Sequence, residues 1–270
     1  MDCSSCDCPA PCSPCFICRS GPNTPGACVV DTEQVGDPCV GSAGQVCQAD
    51  GTCACNAASC GGTTPICNGG ICVPCSGDHP CPDGCCQPDG TCGATCRVFA
   101  TSSTHTGKLG GLAGGDAICQ GLAGAAGLPG RYLAWLSDGT DSPSTRFPLA
   151  GDPDIGPYVL VGSPAATIAA GWTALTSRAT CQQGQSGACL DQSIDRDQTG
   201  TGLAAPLTAW TGTTIHGTTY GVASTCAGWT NETRAALANG GETNKSDCRW
   251  TASFGPGCQL SHRLYCFQQG

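Results

Sequence analysis

Apolar and polar residues are arranged in two different ways along this chain, and the change falls near Arg97. Beyond that point, short apolar runs stand between turn residues. RVFATSS (97–103) is apolar and β-branched and predicts a strand. In GGDAICQGLAGAAGLPG (114–130), Ile118, Leu122 and Ala125 fall at i, i+4 and i+7. Asp116 would place a carboxylate at a helix N-terminus, and Gly127 before Leu-Pro is a stop, so a helix is predicted from about Asp116 to Ala126. RYLAWLSDG, PYVLVG, LTAWTG, RWTASF and HRLYCF read as further strands. IAAGWTAL sets Ile168, Trp172 and Leu175 at the spacing of a short second helix.

Before Arg97 neither period persists. CSSCDCPAPCSPCFIC and CNAASCGGTTPICNGGICVPC alternate Cys with Gly, Pro, Asn and Asp, residues of turns rather than element interiors. CQADGTC (Cys47–Cys53) and CQPDGTC (Cys86–Cys92) echo each other, each with Asp-Gly between cysteines, and suggest repeated small hairpins. The pattern therefore predicts two regions, a cysteine-rich, disulfide-stapled stalk over 1–96 and a mixed α and β domain over 97–270.

Composition deepens that division. Of the 27 cysteines in 270 residues, twenty lie in 1–96 and seven beyond it. The first region carries one basic and nine acidic side chains, the second ten and eleven, which together make the net charge of −9. With no Lys/Arg cluster, such a chain repels phosphate backbones, so nucleic acid is set aside as a partner. So many thiols fit an oxidising exterior, where they become cross-links that restrict the unfolded state of a segment with little to bury. Extracellular or cell-surface residence is expected. MDCSSCDCPAPC has neither the basic start nor the apolar stretch of a secretory signal, and no run reaches the roughly 20 apolar residues of a membrane span.

Candidate chemistry is sparse. Cys3, Cys6, Cys12, Cys15 and Cys18 contain three CxxC spacings of zinc-binding type, but no His accompanies them and cysteines continue at similar density to Cys96, so disulfides are the expectation. Asp195 and Asp197 in DRDQTG begin like a calcium loop whose twelfth position is Pro206 instead of a bidentate Glu, a weak calcium candidate better read as a solvated turn. His79, His105, His216 and His262 form no HxH or HxxxH pair, and no GxSxG occurs. No catalytic residue and no cofactor is assigned, and the chain is expected not to be an enzyme. Cys181 and Cys189 bracket QQGQSGA and are expected to close a local loop.

At this point a resemblance becomes specific. The ordered set GGDAICQGLAGAAGLPGRYLAWLSDG, PYVLVG, GWTAL, AWTGTTIHGTTYGVASTCAGWT and CQLSHRLYCFQQ resembles the bacterial endostatin-like domain family, related to endostatin and to the C-type lectin-like fold, over about 97–270. The resemblance implies an α+β, C-type lectin-like or endostatin-like domain, preceded here by an irregular disulfide-rich region with short hairpins. It also implies nested disulfides, Cys119 with Cys266 and Cys226 with Cys258. The lectin calcium and sugar motif is not matched, because GWTNET interposes Thr230 between Trp229 and Asn231.

Members of the family are extracellular binding modules, which implies an adhesin-like protein that takes an extracellular protein or glycan. The ligand residues expected are Ser137, Asp138 and Asp141 in one loop and Thr213, His216 and Tyr220 in another. In the WTGTT…GWT stretch itself, Trp210 and Trp229 read as core residues and Gly212 and Gly217 as turn residues. The family offers Cys248 no partner and the cysteine total is odd, so a cysteine of the stalk, another chain or a cysteine lost upstream is expected to pair with it; a structural alternative is a cross-linked envelope or coat component in which Cys248 bridges to a second chain.

Overall fold

The computed structural model describes residues 16–21, 24–30, 33, 35–39, 45–49, 52–55, 58–182 and 187–270, the first two segments by backbone alone. Cys3, Cys6, Cys12 and Cys15 of the CxxC series lie outside the described residues. Two compact units divide the chain: Met1–Cys75 with Asp89–Thr91, and Ser76–Pro88 with Cys92–Gly270. The unit that contains the mixed domain thus takes in cysteine-rich chain from Ser76 onward.

Among its described residues the first unit is built of antiparallel hairpins. Strand β1 (Phe16–Gly21) pairs with β2 (Thr24–Val30), β3 (Val46–Cys47) with β4 (Cys53–Ala54), and β5 (Ile66–Asn68) with β6 (Ile71–Val73). Gly69 (φ 57°) and Gly70 (φ 82°) make the tight β5–β6 turn, where positive φ at both central residues matches the strand twist. Cysteines face each other across the hairpins, Cys47 opposite Cys53 and Cys67 opposite Cys72, yet bond upstream instead, as Cys39–Cys53, Cys55–Cys67 and Cys60–Cys72. The second unit opens with the same device. Its hairpin β7 (Cys85–Cys86) and β8 (Cys92–Gly93) sets Cys86 opposite Cys92, while the bonds run Cys81–Cys92 and Cys85–Cys96. Each such link closes a loop of 11 to 14 residues, worth about 3 kcal/mol in the chain-entropy account.

The rest of the second unit is a seven-stranded mixed sheet that curls into a half-barrel. Its strands are β9 (Cys96–Ala100), β10 (Tyr132–Ala134), β11 (Tyr158–Leu160), β12 (Thr167–Ala169), β13 (Thr208–Trp210), β14 (Gly240–Glu242) and β15 (Arg263–Gln268). The order is β12-β11-β9-β15-β13-β14, and β10 also pairs with β15. β15 is therefore the hub. β9 runs antiparallel along one edge, whereas β10 pairs with Cys266–Gln268 and β13 with Arg263–Leu264.

Side chains alternate between two cores. Val98, Leu133, Trp135, Tyr265 and Phe267 point to one, with Phe147, Trp172 and Trp250 packed among them. Phe99, Tyr132, Ala134, Leu136, Trp210, Leu264 and Cys266 point to the other. A sheet covered on both faces explains why these strands read as apolar runs. The chain is a disulfide-rich α+β protein.

Helix α1 (Gly111–Ala125) covers the second face. It starts a turn earlier than the position of Asp116 suggests, and its buried stripe is Gly115, Cys119 and Ala123, with Ile118 and Leu122 alongside and Ala125 exposed. The cause is close approach to β10: a Cβ on Gly115 would lie 2.6 Å from Leu136 Cδ1. Asp116 is no cap. Its Oδ1 accepts the Ala134 amide at 2.8 Å, and both carboxylate oxygens receive Arg146, at 2.9 and 3.0 Å, while Arg146 also donates to the Ala134 carbonyl. The helix ends as expected at Gly127 (φ 70°), whose amide donates to Gly124 while that of Leu128 donates to Ala123.

Other expectations are corrected. Ile168 belongs to β12, and the following helix α2 holds only Trp172–Thr176, because Gly171 interrupts the run. RWTASF is not a strand; Cys248–Trp250 forms a 3-10 turn whose Asp247 side chain accepts the Arg249 amide. The strand that forms instead is β14, Gly-Gly-Glu at 240–242, where a Cβ on Gly241 would strike the Trp250 carbonyl. Arg263, 5% exposed, ties loops to the hub. Its guanidinium donates to the carbonyls of Thr101 (2.6 Å), Ser102 (2.8 Å), Ala204 (2.7 Å) and Pro206 (3.0 Å).

Candidate functional site

The two loops expected to carry ligand residues leave strands that both pair with β15, and they meet. β10 runs on through Trp135 and Leu136 into Ser137–Asp141, and β13 runs on into Thr211–Tyr220. The Ser137 amide donates to the Thr211 carbonyl at 3.0 Å, and Thr219 Oγ1 donates to the Asp138 carbonyl at 3.1 Å. Two glycines allow the approach. A Cβ on Gly212 (φ 59°) would lie 2.8 Å from the Ser137 carbonyl oxygen, and one on Gly217 (φ 73°) would lie 3.3 Å from the Trp135 ring.

Beneath the loops lies a buried hydroxyl network. Ser137 Oγ and Thr213 Oγ1 are 2.8 Å apart, and Thr213 Oγ1 donates to the Thr211 carbonyl at 2.7 Å. Thr211 Oγ1 donates to the Thr251 carbonyl at 2.6 Å, Thr251 Oγ1 to the Thr213 carbonyl at 3.1 Å, and Trp135 Nε1 to Thr251 Oγ1 at 2.9 Å. Trp229 Nε1 donates to the Ser137 carbonyl at 2.8 Å. Ser137 and Thr213 are fully buried, so neither reaches a ligand; they hold the loops from below. Sequence reasoning had no means of separating these hydroxyls from the exposed ones, because Thr and Ser fill the whole stretch.

The half-buried Asp138 and the exposed members remain. Asp138 Oδ1 accepts the amides of Thr140 and Asp141, each at 2.7 Å, an Asx turn that fixes the carboxylate, and Asp141 is exposed. His216 is exposed, with Nδ1 2.8 Å from the Thr176 carbonyl, to which it donates. Tyr220 is 49% exposed, and Val222, missed in the sequence, is 68% exposed. The Val222 side chain lies against Gly139, 3.4 Å from where a Cβ there would stand. Nothing in the sequence marks Val222 as exposed.

Other candidates resolve into structure. Asp197 Oδ1 accepts the Thr199 amide (2.8 Å), the Thr199 hydroxyl (2.7 Å) and the Thr201 amide (3.1 Å), closing a turn at Gly200 (φ 82°). Asp195 Oδ2 receives Ser193 Oγ at 3.2 Å. Cys55, Cys60 and Cys72 bring three sulfurs within 4.8 Å of one another, but these sulfurs belong to the Cys55–Cys67 and Cys60–Cys72 bonds, which leaves no thiolate for a metal. Cys119–Cys266, Cys226–Cys258 and Cys181–Cys189 are bonded pairs. Cys248 is 3% exposed within the core, so this fold does not offer its sulfur to a second chain, contrary to the bridge expected of it.

The histidines stay apart in role. Ser103 Oγ lies 2.8 Å from His105 Nε2, a bond within one loop, and burial lowers the His105 pKa. His262 Nδ1 lies 2.6 Å from Thr208 Oγ1, with the ring edge-on to Trp210, and burial pushes its pKa down to about 4. Among the described residues no helix is long and apolar enough to cross a membrane. No protein-family model and no curated protein matches this chain.

Proposed function

We propose that this protein is an extracellular or cell-surface binding protein, with a C-type lectin-like or endostatin-like domain that takes a protein or glycan ligand on the face made by 138–141 and 216–222. The observation that carries this reading is the contrast within that face. Tyr220 and Val222 stand exposed on loops held from below by a hydrogen-bonded, fully buried hydroxyl network. Apolar side chains displayed on a rigid support lose little conformational freedom on binding, and clustered exposed apolar groups mark interaction surfaces. The nested bonds Cys119–Cys266 and Cys226–Cys258 and the hub strand β15 support the family resemblance. The disulfide density supports an oxidising location.

The test is binding of the oxidised full-length chain to a combined glycan and matrix-protein array, with calcium and with chelator. Saturable binding that survives chelation and is lost in Tyr220→Ala and Val222→Asp, with unchanged melting, is expected. Equal binding by both variants overturns the proposed face. Binding lost on chelation returns the Asp195/Asp197 loop to consideration.

A further inference from the structure

The exposed face just described has one sign of charge. Loop 137–145 contains Asp138 and Asp141, and neither it nor 211–225 contains a Lys or Arg. Two basic side chains on adjoining elements are committed elsewhere. Arg146 is paired with Asp116 at 2.9 Å, and Arg178 with Asp191 at 2.7 Å. The acidic turn and the apolar side chains are neighbours, since Thr219 bonds the Asp138 carbonyl and Val222 lies against Gly139. Tyr220 stands between Thr219 and Val222 in the chain.

Two carboxylates on one loop, with an exposed Tyr and an exposed Val on the loop that touches it, suit one chemistry in particular. Arginine and lysine carry a cation on an apolar stem, so the stem covers apolar surface while the cation meets carboxylates and the ring face. A neutral glycan would meet the carboxylates only as hydrogen-bond acceptors and leave their charge unused, and an acidic glycan would be repelled. Resting on the ligand-face reading above, we infer that the occupant is a cationic extended segment of a protein partner, with an arginine or lysine side chain laid on Tyr220 and its charge facing Asp138 and Asp141.

The test uses two labelled hexapeptides, alternating Gly-Arg and Gly-Gln, whose binding to the full-length oxidised chain is read by fluorescence anisotropy at roughly 0.1 M salt. The arginine probe is expected to bind and the glutamine probe to bind far more weakly. Tyr220→Ala and Asp141→Asn should each weaken the arginine probe by about three- to tenfold. Asp195→Asn, which removes the same charge from the loop beside β9, should change it less than about twofold. The chain is acidic overall, so this control separates a site from bulk attraction. Equal losses in Asp195→Asn and Asp141→Asn, or no preference for arginine over glutamine, overturn the inference. A neutral or anionic array ligand that is lost in Tyr220→Ala also overturns it, while leaving the ligand face standing. Absence of binding to probes and array alike removes both.

Discussion

His262 is 7% exposed, and its Nε2 has no hydrogen-bond partner while Nδ1 is taken by Thr208. The ring packs against Trp210 and Phe254, with His105 across a backbone bridge and Arg263 next in sequence bound to four carbonyls. A proton on Nε2 would meet no acceptor there, so burial lowers the pKa from 6.5 to about 4. The folded form thus favours the neutral ring. That contribution is fully present above about pH 6.5, is lost as pH falls toward 4, and amounts to at most about 3 kcal/mol. His262→Gln, which keeps a partner for Thr208, should flatten the loss of unfolding free energy between pH 6.5 and 4 in urea titrations. A slope equal to the parent's would mean that His105 or the carboxylates carry the acid sensitivity. At this scale the sequence could nominate Tyr220 and Asp141 as candidates for exposure but could not tell Thr213 from Thr214. Depth depends on which hydroxyl faces Ser137 and Thr251, and those partners are distant in the chain.

Cys226, Ala227, Gly228 and Trp229 all have positive φ, at 49°, 54°, 68° and 63°. Left-handed backbone costs an L-residue about 1–2 kcal/mol, so three of the four residues are held against their preference. The constraints are visible. Cys226 is bonded to Cys258, Trp229 is fully buried with its indole on Ser137, and Thr225 Oγ1 accepts the Gly228 amide. Ala227 is exposed and buries nothing, so Ala227→Gly should raise stability by about 1 kcal/mol in chemical denaturation. No change would mean that the turn relaxes in solution. Elements with ordinary signals were readable. β9, β10, β11, β13 and β15 announce themselves as apolar runs, and Gly127 ends α1 where a stop was expected. Those set by tertiary approach were not. β14 is glycine because Trp250 lies against it, and the start of α1 follows its packing on Leu136 rather than the position of Asp116.

Among the described residues the cross-links differ widely in span. Those of the hairpin segments close 11 to 14 residues, and Cys181–Cys189 closes 8, whereas Cys119–Cys266 closes 147 and joins helix α1 to the hub strand. Replacing Cys119 and Cys266 together by Ser should lower the unfolding free energy by about 5 kcal/mol, against about 2–3 for Cys181 with Cys189. Guanidinium melts of the two double variants decide this, and equal losses would contradict a loop-length account. Cysteine density changes at Arg97, whereas the compact units divide after Cys75, a boundary that density could not mark because hairpin cysteines look alike wherever they pack.

The hub position of β15 also sets an order of events during synthesis. β9, β10 and β13 all emerge from the ribosome before the strand that joins them. The sheet therefore cannot close vectorially, and Cys119 must wait 147 residues for its mate while other thiols pass by. Oxidation that runs ahead of translation would trap Cys119 with the wrong partner, so the yield of native protein should depend on a disulfide isomerase.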